Sequence, residues 1–385
     1  MTDMTSRERV LKAVNHEEAD RVPIDLGGCH CSTIHSDAYN NFLNYVNFKP
    51  EKPTVIRKVA QTVSEIDESI MKRYGIDLVG IMPGASNDPR SRELPDGTWQ
   101  DEFGVIRRKT TASKSYDVYK SPLAGPLTIK DLEKYQWPDP HDHGYAKGLR
   151  EKAQHLYEKT DYAIVAALTY NIIHMVQYLR GFEDWFLDFA AKPELSLLFH
   201  DKATEMGMQV AGHFLDAVGD YAQIVVFADD MGGQEGLLIS PKSFRDIIKP
   251  QWEKFFNFLR TRTKAKIALH CCGGITKILD DIVELGVDII NPIQVTAKGM
   301  DTKWLKKEYG DKLTFWGAID TQTILPYGKP EDVRKEVRKR IDDLAPGGGY
   351  ILSAVHCIQP DVPPENVHAM LDEAVKYGRY KNSNE

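Results

Sequence analysis

Three soft metal ligands stand out in the sequence because of their type and spacing. His270 and Cys272 end the apolar run KIALHCC, and Cys357 ends a later run, YILSAVHC. Side chains alternate along a strand, so His270 and Cys272 share one face whereas Cys271 points the other way. One imidazole and two thiolates suit zinc, and three protein ligands leave a fourth position for water or substrate, as in a catalytic site.

The H-x-C pair also has a purely structural interpretation. A strand-end histidine satisfied by the backbone beside a buried thiol would look the same, and the two residues alone leave both interpretations open. The presence of Cys357 at the end of another predicted strand favours the interpretation of the pair as part of a metal site. Glu235 is the candidate for a fourth ligand, and a closed site with four protein ligands would be structural instead of catalytic.

These ligands need a scaffold that brings distant strand ends together. Eight apolar runs of strand length alternate with helical segments. They are 22–28, 76–82, 163–168, 223–230, 266–272, 287–292, 313–319 and 350–357. Continuous apolar runs indicate burial on both faces, so the pattern predicts an α/β fold, the (β/α)8 TIM barrel. In such a barrel the fifth and eighth strands end at one rim, where catalytic residues lie.

A helix precedes the first strand, and one insertion interrupts the alternation. Thr5 and Glu8 fit a capping box and are followed by apolar residues at helical spacing, which predicts an N-terminal helical extension. Residues 85–145 break the βα pattern with an Asp-Gly turn, a hairpin over TWQDEFGVIRRK and a proline-rich segment. We interpret 1–385 as a single barrel domain carrying this insertion.

Further polar residues lie at inferred strand ends and are candidates for substrate binding. They are Asp25, Tyr170, Asp229 and Asn291. For Asp229 and Asp230, a substrate contact or oxygen ligand competes with helix capping, and both interpretations stay open. The loop Cys29-His30-Cys31 is more typical of packing and surface than of a second metal site.

Composition excludes several classes of function. The 385 residues carry a net charge of −7 without long blocks of either sign, which argues against a nucleic-acid binder. No apolar run approaches the length of about 18 residues that a membrane span needs, and the N-terminus has no apolar signal segment, so we expect a cytoplasmic protein. Five cysteines are too few for a disulfide framework. The oligomeric state stays open, with a homodimer as one option.

Several segments, spread nearly from end to end, resemble one protein family. They are TSRERVLKAVNHEEADRVP, PLTIKDLEKYQWPDP, YLRGFEDWFLDFAAKPE, ISPKSF, and LHCCG paired with AVHCIQPDVPPENV. The chain resembles the uroporphyrinogen decarboxylase superfamily, particularly its corrinoid-dependent methyltransferase branch, whose fold is a TIM barrel. The zinc signature of that branch falls on His270, Cys272 and Cys357. The resemblance implies Zn2+ and a corrinoid (cobalamin) supplied by a partner protein, because no corrinoid-binding domain is evident.

The sequence departs from the true decarboxylases after the first strand. Those enzymes carry there an arginine-rich motif that grips the carboxylates of their porphyrinogen. The matching stretch is IDLGGCHCSTIH, which contains no arginine. Porphyrinogen decarboxylation is therefore disfavoured, since a tetracarboxylate needs cationic partners.

The resemblance implies methyl transfer between a small methylated substrate and the cobalt of a corrinoid protein. The preferred reaction is of the O-demethylase type, in which zinc acts as a Lewis acid on the heteroatom of a methoxylated or otherwise methylated compound. The alternative is a methyl-corrinoid:thiol (coenzyme M type) transfer, in which zinc holds the thiolate. Uroporphyrinogen decarboxylation and a noncatalytic zinc-stabilised scaffold are less favoured.

Overall fold

The computed structural model describes residues 4–110 and 115–380. The strands are β1 Ile56–Arg57, β2 Thr62–Val63, β3 Leu78–Ile81, β4 Arg92–Glu93, β5 Trp99–Gln100, β6 Ile106–Lys109, β7 Tyr116–Lys120, β8 Ala163–Ala167, β9 Ile224–Ala228, β10 Gly232–Gly233, β11 Gly236–Leu237, β12 Lys266–His270, β13 Ile289–Asn291, β14 Thr314–Ile319 and β15 Tyr350–Ala354. The helices are α1 Ser6–Val14, α2 Ser36–Tyr45, α3 Glu68–Tyr74, α4 Ile129–Glu133, α5 Leu149–Lys159, α6 Ile172–Arg180, α7 Phe182–Ala191, α8 Pro193–Val218, α9 Pro241–Ser243, α10 Lys249–Arg262, α11 Leu279–Glu284, α12 Thr302–Tyr309, α13 Ile324–Tyr327, α14 Pro330–Leu344 and α15 Pro364–Tyr377.

Seven parallel strands form the central sheet, in the order β3-β8-β9-β12-β13-β14-β15. Ile24 takes the eighth position, since it makes parallel bridges to both Ile76 and Leu352. Main-chain hydrogen bonds support the closure: Leu352 donates to Pro23 at 2.9 Å, and Asp77 donates to Ile24 at 2.8 Å. The sheet therefore curls into the TIM barrel that the strand count predicts.

The first strand is much shorter than the predicted run 22–28. Pro23 has no backbone N–H to contribute to a ladder, and Gly27 has a φ of +102°, where the chain turns away from its neighbours. The side chain of Asp25 accepts the Gly28 N–H at 2.7 Å and closes this turn. Pairing is consequently limited to the residues around Ile24.

The strands that carry the predicted ligands are held in register at their C-terminal ends. His270 pairs with Ala228 of β9 on one side and with Asn291 of β13 on the other. Apart from Lys266 at the start of β12, β9, β12 and β13 are buried throughout, as the continuous apolar runs predict. The register places His270, Asn291 and the residues that follow Ala228 side by side on one rim.

Helix α1 confirms the predicted capping box. The Thr5 side chain accepts the Glu8 N–H, and the Glu8 carboxylate accepts the Thr5 N–H. Arg9 of this helix forms ion pairs with Asp20 at 2.6 Å and with Asp77 at 2.7 Å, which ties α1 to the barrel. No helix in the two described ranges has both the length and the apolarity to cross a membrane.

The insertion contains a four-stranded antiparallel sheet of order β4-β5-β6-β7. The predicted hairpin is confirmed, because Trp99 pairs with Arg107 and Gln100 with Ile106. Residues 111–114 of the predicted insertion lie outside the described residues. The sheet stands beside the rim of the barrel, where its last two strands contribute to a cavity.

Candidate metal and substrate cavity

A cavity of about 880 Å³ opens at the C-terminal ends of the barrel strands. The rim contributes His270 at the end of β12, and His356 and Cys357 just after β15. The insertion contributes Arg107 of β6 and Tyr119 of β7. The cavity therefore lies between the barrel and the inserted sheet, at the end where barrel enzymes place their active sites.

His270 has the protonation pattern of a metal ligand. Its Nδ1 lies 2.5 Å from the Asn291 Oδ1, while the Asn291 Nδ2 donates to the Trp316 carbonyl at 3.2 Å. Because the amide oxygen accepts, Nδ1 carries the proton and Nε2 presents its lone pair to the cavity. Burial lowers the pKa of His270, so the ring is neutral at pH 7, as metal binding requires.

Cys272 and Asp230 lie beside that free nitrogen. The Cys272 Sγ is 3.3 Å from the His270 Nε2, close to the separation of about 3.6 Å that tetrahedral zinc bonded to both atoms would give. The Asp230 Oδ1 accepts the Cys272 N–H at 2.7 Å and lies 3.9 Å from the same nitrogen. The three ligand atoms lie within 4.8 Å of one another.

The thiol of Cys272 needs a cation to become a good ligand. Burial and the Asp230 carboxylate raise its pKa well above the ordinary value. A thiolate at this position therefore forms at neutral pH only when a positive charge binds beside it. This donor set fits zinc.

A second group of donors shares His270. The Cys31 Sγ and a His356 ring nitrogen also lie within 4.8 Å of the His270 nitrogen and of each other. Burial lowers the pKa of His356 to about 4, so this ring is neutral at pH 7. Our sequence analysis set Cys31 aside as packing and did not single out His356, although Cys31 follows the first strand and His356 precedes Cys357, two signals that could have placed them on the rim.

Two predicted ligands do not reach the donor groups. Cys357 lines the cavity, but its Sγ lies 3.8 Å from the Ile358 carbonyl oxygen and belongs to neither group. Glu235 lies in the turn between β10 and β11, outside the cavity wall, with a 91% exposed side chain that pairs with Lys298 at 3.6 Å. The structure brings His270 and Cys272 together, places Cys357 on the same wall, and leaves Glu235 in solvent.

Asp229 adopts the capping role that the sequence left open. Its carboxylate accepts the N–H groups of Ile172 at 3.1 Å and Ile173 at 2.8 Å, at the start of α6. His174, the next residue of that helix, lies between the two acidic residues, 3.6 Å from Asp229 and 3.5 Å from Asp230. Burial opposes the charge on His174, but the bonds to the two carboxylates outweigh it and raise the pKa well above its usual value.

The other proposed substrate contacts lie behind the cavity wall. Asp25 is fully buried and accepts the Trp316 Nε1–H at 2.9 Å. Tyr170 packs against Phe103 beside an adjoining cavity of about 180 Å³. Asn291 orients His270, and Asp229 caps α6. None of the four predicted contacts is among the residues that line the main cavity in the described part of the chain.

Two arginines that the sequence analysis did not name line the cavity. Arg57 comes from β1 and Arg107 from β6. The matching decarboxylase motif would have placed arginines directly after the first strand. The cationic groups of this chain instead enter from the side of the inserted sheet and the β1–β2 hairpin.

The fold is shared with a solved structure, a methyltransferase from Methanosarcina mazei. The TM-score is 0.68 at 21% sequence identity, and the match covers 97% of this chain and 99% of that one. At this identity the likeness shows the fold.

Curated relatives include uroporphyrinogen decarboxylases of several bacteria. The enzyme of Trichlorobacter lovleyi is 25% identical over 262 residues, covering 66% of this chain and 71% of the relative. That of Thioalkalivibrio sulfidiphilus is 27% identical over 166 residues, covering 41% and 42%, and that of Geobacter metallireducens is 28% identical over 198 residues, covering 50% and 53%. The chain thus spans about half the length of two of these relatives and less than three quarters of the third.

The profile of the family described as uroporphyrinogen decarboxylase (URO-D) matches residues 119–377. This match includes the strands that carry His270, Cys272, His356 and Cys357, and it covers more than half of the chain. The protein therefore belongs to the uroporphyrinogen decarboxylase (URO-D) family.

Proposed function

We propose that this protein is a zinc-dependent methyltransferase that moves a methyl group from a small methylated compound, such as a methoxylated one, to the cobalt of a corrinoid protein. The observation that carries the proposal is the 3.3 Å separation of the Cys272 Sγ from the Nε2 of His270, a residue that lines a large cavity. The Methanosarcina mazei structure bears the name of a methyltransferase, which supports this reaction class. Thiol methylation of the coenzyme M type would use the same donors and is the alternative.

The proposed zinc ligands are His270, Cys272 and Cys357. The first two already lie together, and Cys357 lines the same wall. Bound zinc would supply a Lewis acid that polarises the heteroatom carrying the methyl group. Asn291 holds His270 in the tautomer that this role requires, and the Asp230 carboxylate lies beside both ligands.

The demethylated heteroatom must gain a proton, and His174 is the group that can hold one. Its side chain lines the cavity, and its raised pKa keeps the ring protonated at neutral pH. The Asp229 and Asp230 carboxylates fix the ring on both sides. A protonated imidazole in this position is suited to general acid catalysis.

The proposed corrinoid protein would approach at the mouth of the cavity. Tyr119 and Phe182 line the cavity and keep 55% and 49% of their surface exposed. Exposed aromatic side chains are enriched at the centres of protein interfaces. These two residues support the proposal that a corrinoid protein docks over the rim of the barrel.

Uroporphyrinogen decarboxylation is the second candidate. The names of the curated relatives and the presence of Arg57 and Arg107 in the cavity favour it. Against it, Arg107 is already engaged by Asp101 at 3.4 Å, which leaves one unpaired arginine for a substrate with several carboxylates. Release of carbon dioxide from uroporphyrinogen by the purified protein would replace the methyltransferase proposal.

The deciding experiment follows methylation of cobalt by its absorption spectrum. Zinc-loaded protein is mixed with a reduced corrinoid protein and a panel of methyl donors, and metal content is measured in parallel. We expect C272A to lose both zinc and methyl transfer. The matched control is C271A, which removes the neighbouring buried thiol that accepts the Met231 N–H and points away from the cavity; it should keep both.

Two results would contradict the proposal. Methyl transfer by C272A after its zinc is lost would show that the metal is not needed. Zinc held by four protein ligands, together with no methylation of cobalt by any donor, would favour a noncatalytic scaffold that zinc stabilises.

A further inference from the structure

Arg57 carries a positive charge on the cavity wall without an anionic partner. Its Nη1 lies 2.9 Å from the Met82 Sδ, which is a weak acceptor. Within residues 4–110 and 115–380, no carboxylate forms an ion pair with it. Burial lowers its pKa, as expected for a cation that has lost water and gained little in return.

The three buried arginines of the described residues are paired with carboxylates, unlike the partly buried Arg57. Arg9 is paired with Asp20 and Asp77, Arg180 with Asp188 at 2.7 Å, and Arg340 with Glu336 at 2.8 Å. Even Arg107, on the same cavity wall, contacts Asp101 and stacks over the Tyr178 ring at 4.7 Å. Since an unpaired charge that is partly withdrawn from water is destabilising, the lone guanidinium of Arg57 indicates a ligand that supplies the anion.

Two buried polar atoms of residues that line the same cavity also lack a hydrogen-bond partner among the described residues. Thr62 is paired with Arg57 across the β1–β2 ladder, and its buried hydroxyl has no hydrogen-bond partner. The His30 Nδ1 likewise has none. Both residues line the cavity with Arg57, so a hydroxyl, an imidazole and a guanidinium converge on one region.

This region adjoins the metal donors. Cys31 lines the cavity together with Arg57, and its Sγ lies within 4.8 Å of the His270 and His356 donor atoms. A small molecule with one end at Arg57 can therefore present its other end to His270, which lines the same cavity. The planar fork of a guanidinium matches the two oxygens of a carboxylate.

We propose that Arg57 binds the carboxylate of the methylated substrate, so that the donors used by this protein are small methylated carboxylates, methoxybenzoates among them. This inference rests on the proposed function for the methyl group, whereas the carboxylate site itself rests on the cavity. Thr62 and His30 line the cavity wall beside this group. Neutral methylated compounds of equal size lack the main contact.

Direct binding tests the site without the corrinoid protein. Isothermal titration of the zinc-loaded protein compares 3-methoxybenzoate with 3-methoxybenzamide, which has the same shape and no charge. We expect tighter binding of the benzoate by wild type, and a loss of about tenfold to hundredfold in R57Q, the range for a hydrogen bond to a charged group. R57K should be intermediate, because an ammonium cannot make the paired contact.

Matched controls separate a lost contact from a lost fold. R73Q removes the same charge from the exposed face of α3 and should bind the benzoate as wild type does. Binding of the amide should be equal in wild type and R57Q, which also reports that the variant is folded. Equal affinity of wild type for the two compounds, failure to bind the benzoate, or an unchanged R57Q would overturn the carboxylate site. An absence of methyl transfer with benzoate binding intact would instead count against the proposed function.

Discussion

The two ends of the barrel treat buried polar groups in opposite ways. Before β3, the fully buried Asp77 carboxylate accepts from Arg9 at 2.7 Å, from Arg21 at 2.7 Å and from the Ile24 N–H at 2.8 Å. Beyond the C-terminal ends of the strands, Arg57 has no carboxylate partner within residues 4–110 and 115–380, and the Thr62 hydroxyl has no hydrogen-bond partner in these ranges. One end pairs its charges internally, whereas the other pairs Asp229 and Asp230 with His174 but leaves Arg57 on the wall of a cavity.

The difference between the two ends distinguishes polar groups that stabilise the fold from polar groups that are available to a ligand. A buried network in which every donor and acceptor is paired stabilises one arrangement of the chain, here the closure of the barrel through Ile24. Groups left unpaired beside a cavity cost stability unless a ligand satisfies them. The comparison predicts that substitutions at Asp77 change folding, while substitutions around His270 change binding.

The largest effect is expected at the Asp77 end. D77A leaves Arg9 and Arg21 without their shared carboxylate, and removing one partner of a buried ion pair costs about 3–5 kcal/mol of unfolding free energy. Urea denaturation measures this loss. D20N is the matched control, since Asp20 is 26% exposed and Arg9 keeps Asp77, so its effect should be smaller. Equal stability of D77A and wild type would remove the contrast between the two ends.

Asp25 should make stability depend on pH. Burial raises its pKa from 3.8 to about 7, so the folded chain keeps a proton that the unfolded chain releases. Protonated Asp25 contributes on the order of 4 kcal/mol to the free energy of unfolding. This contribution is fully present below pH 3.8 and is lost as the pH rises to about 7. Urea unfolding from pH 5 to 8 should show a falling stability that is flatter in D25N. The same slope in both proteins would contradict the assignment.

A moderate effect on metal binding is expected from Asn291. N291A removes the acceptor that holds the His270 Nδ1 proton, and loss of such an outer partner weakens metal affinity by about 10–100-fold. Competition with a chelator measures zinc affinity. The matched control is N171A. Asn171 lines the cavity beside the proposed zinc site but does not contact His270, so this variant should leave the zinc affinity unchanged. Equal affinities of N291A and wild type would show that His270 needs no such support.

The smallest effect is expected at Glu235. E235Q alters a carboxylate that is 91% exposed and bound to Lys298, so zinc affinity should stay as in wild type. The same chelator competition applies. A tenfold weaker affinity in E235Q would mean that the β10–β11 turn moves Glu235 to the metal and closes the site.

Local patterns in the sequence were sufficient for the elements and for one pair of ligands. The apolar runs predict seven strands of the barrel sheet, and Thr5 with Glu8 predicts the start of α1. Cys272 lies beside His270 although β12 ends at His270, because the two residues are close in the chain and the Asp230 carboxylate accepts the Cys272 N–H. These features depend on backbone periodicity and neighbouring residues, which the sequence alone determines.

The partners of that pair were decided by the tertiary structure. The side chain near His270 from the end of β15 is His356, not Cys357, because the chain has left the strand and alternation no longer applies. Cys31 enters through the turn at Gly27 that ends the first strand, and no local pattern specifies that turn's direction.

The sequence by itself therefore determined the barrel, the H-x-C pair and the family resemblance. Only the tertiary structure decided that Asp229 caps α6, that Glu235 lies in solvent, and that Arg57 faces the cavity. The physical reason is the distance along the chain between the residues that interact. Strand and helix patterns arise within a few residues, whereas the partner of a polar group is set by segments far apart in the chain that packing brings together.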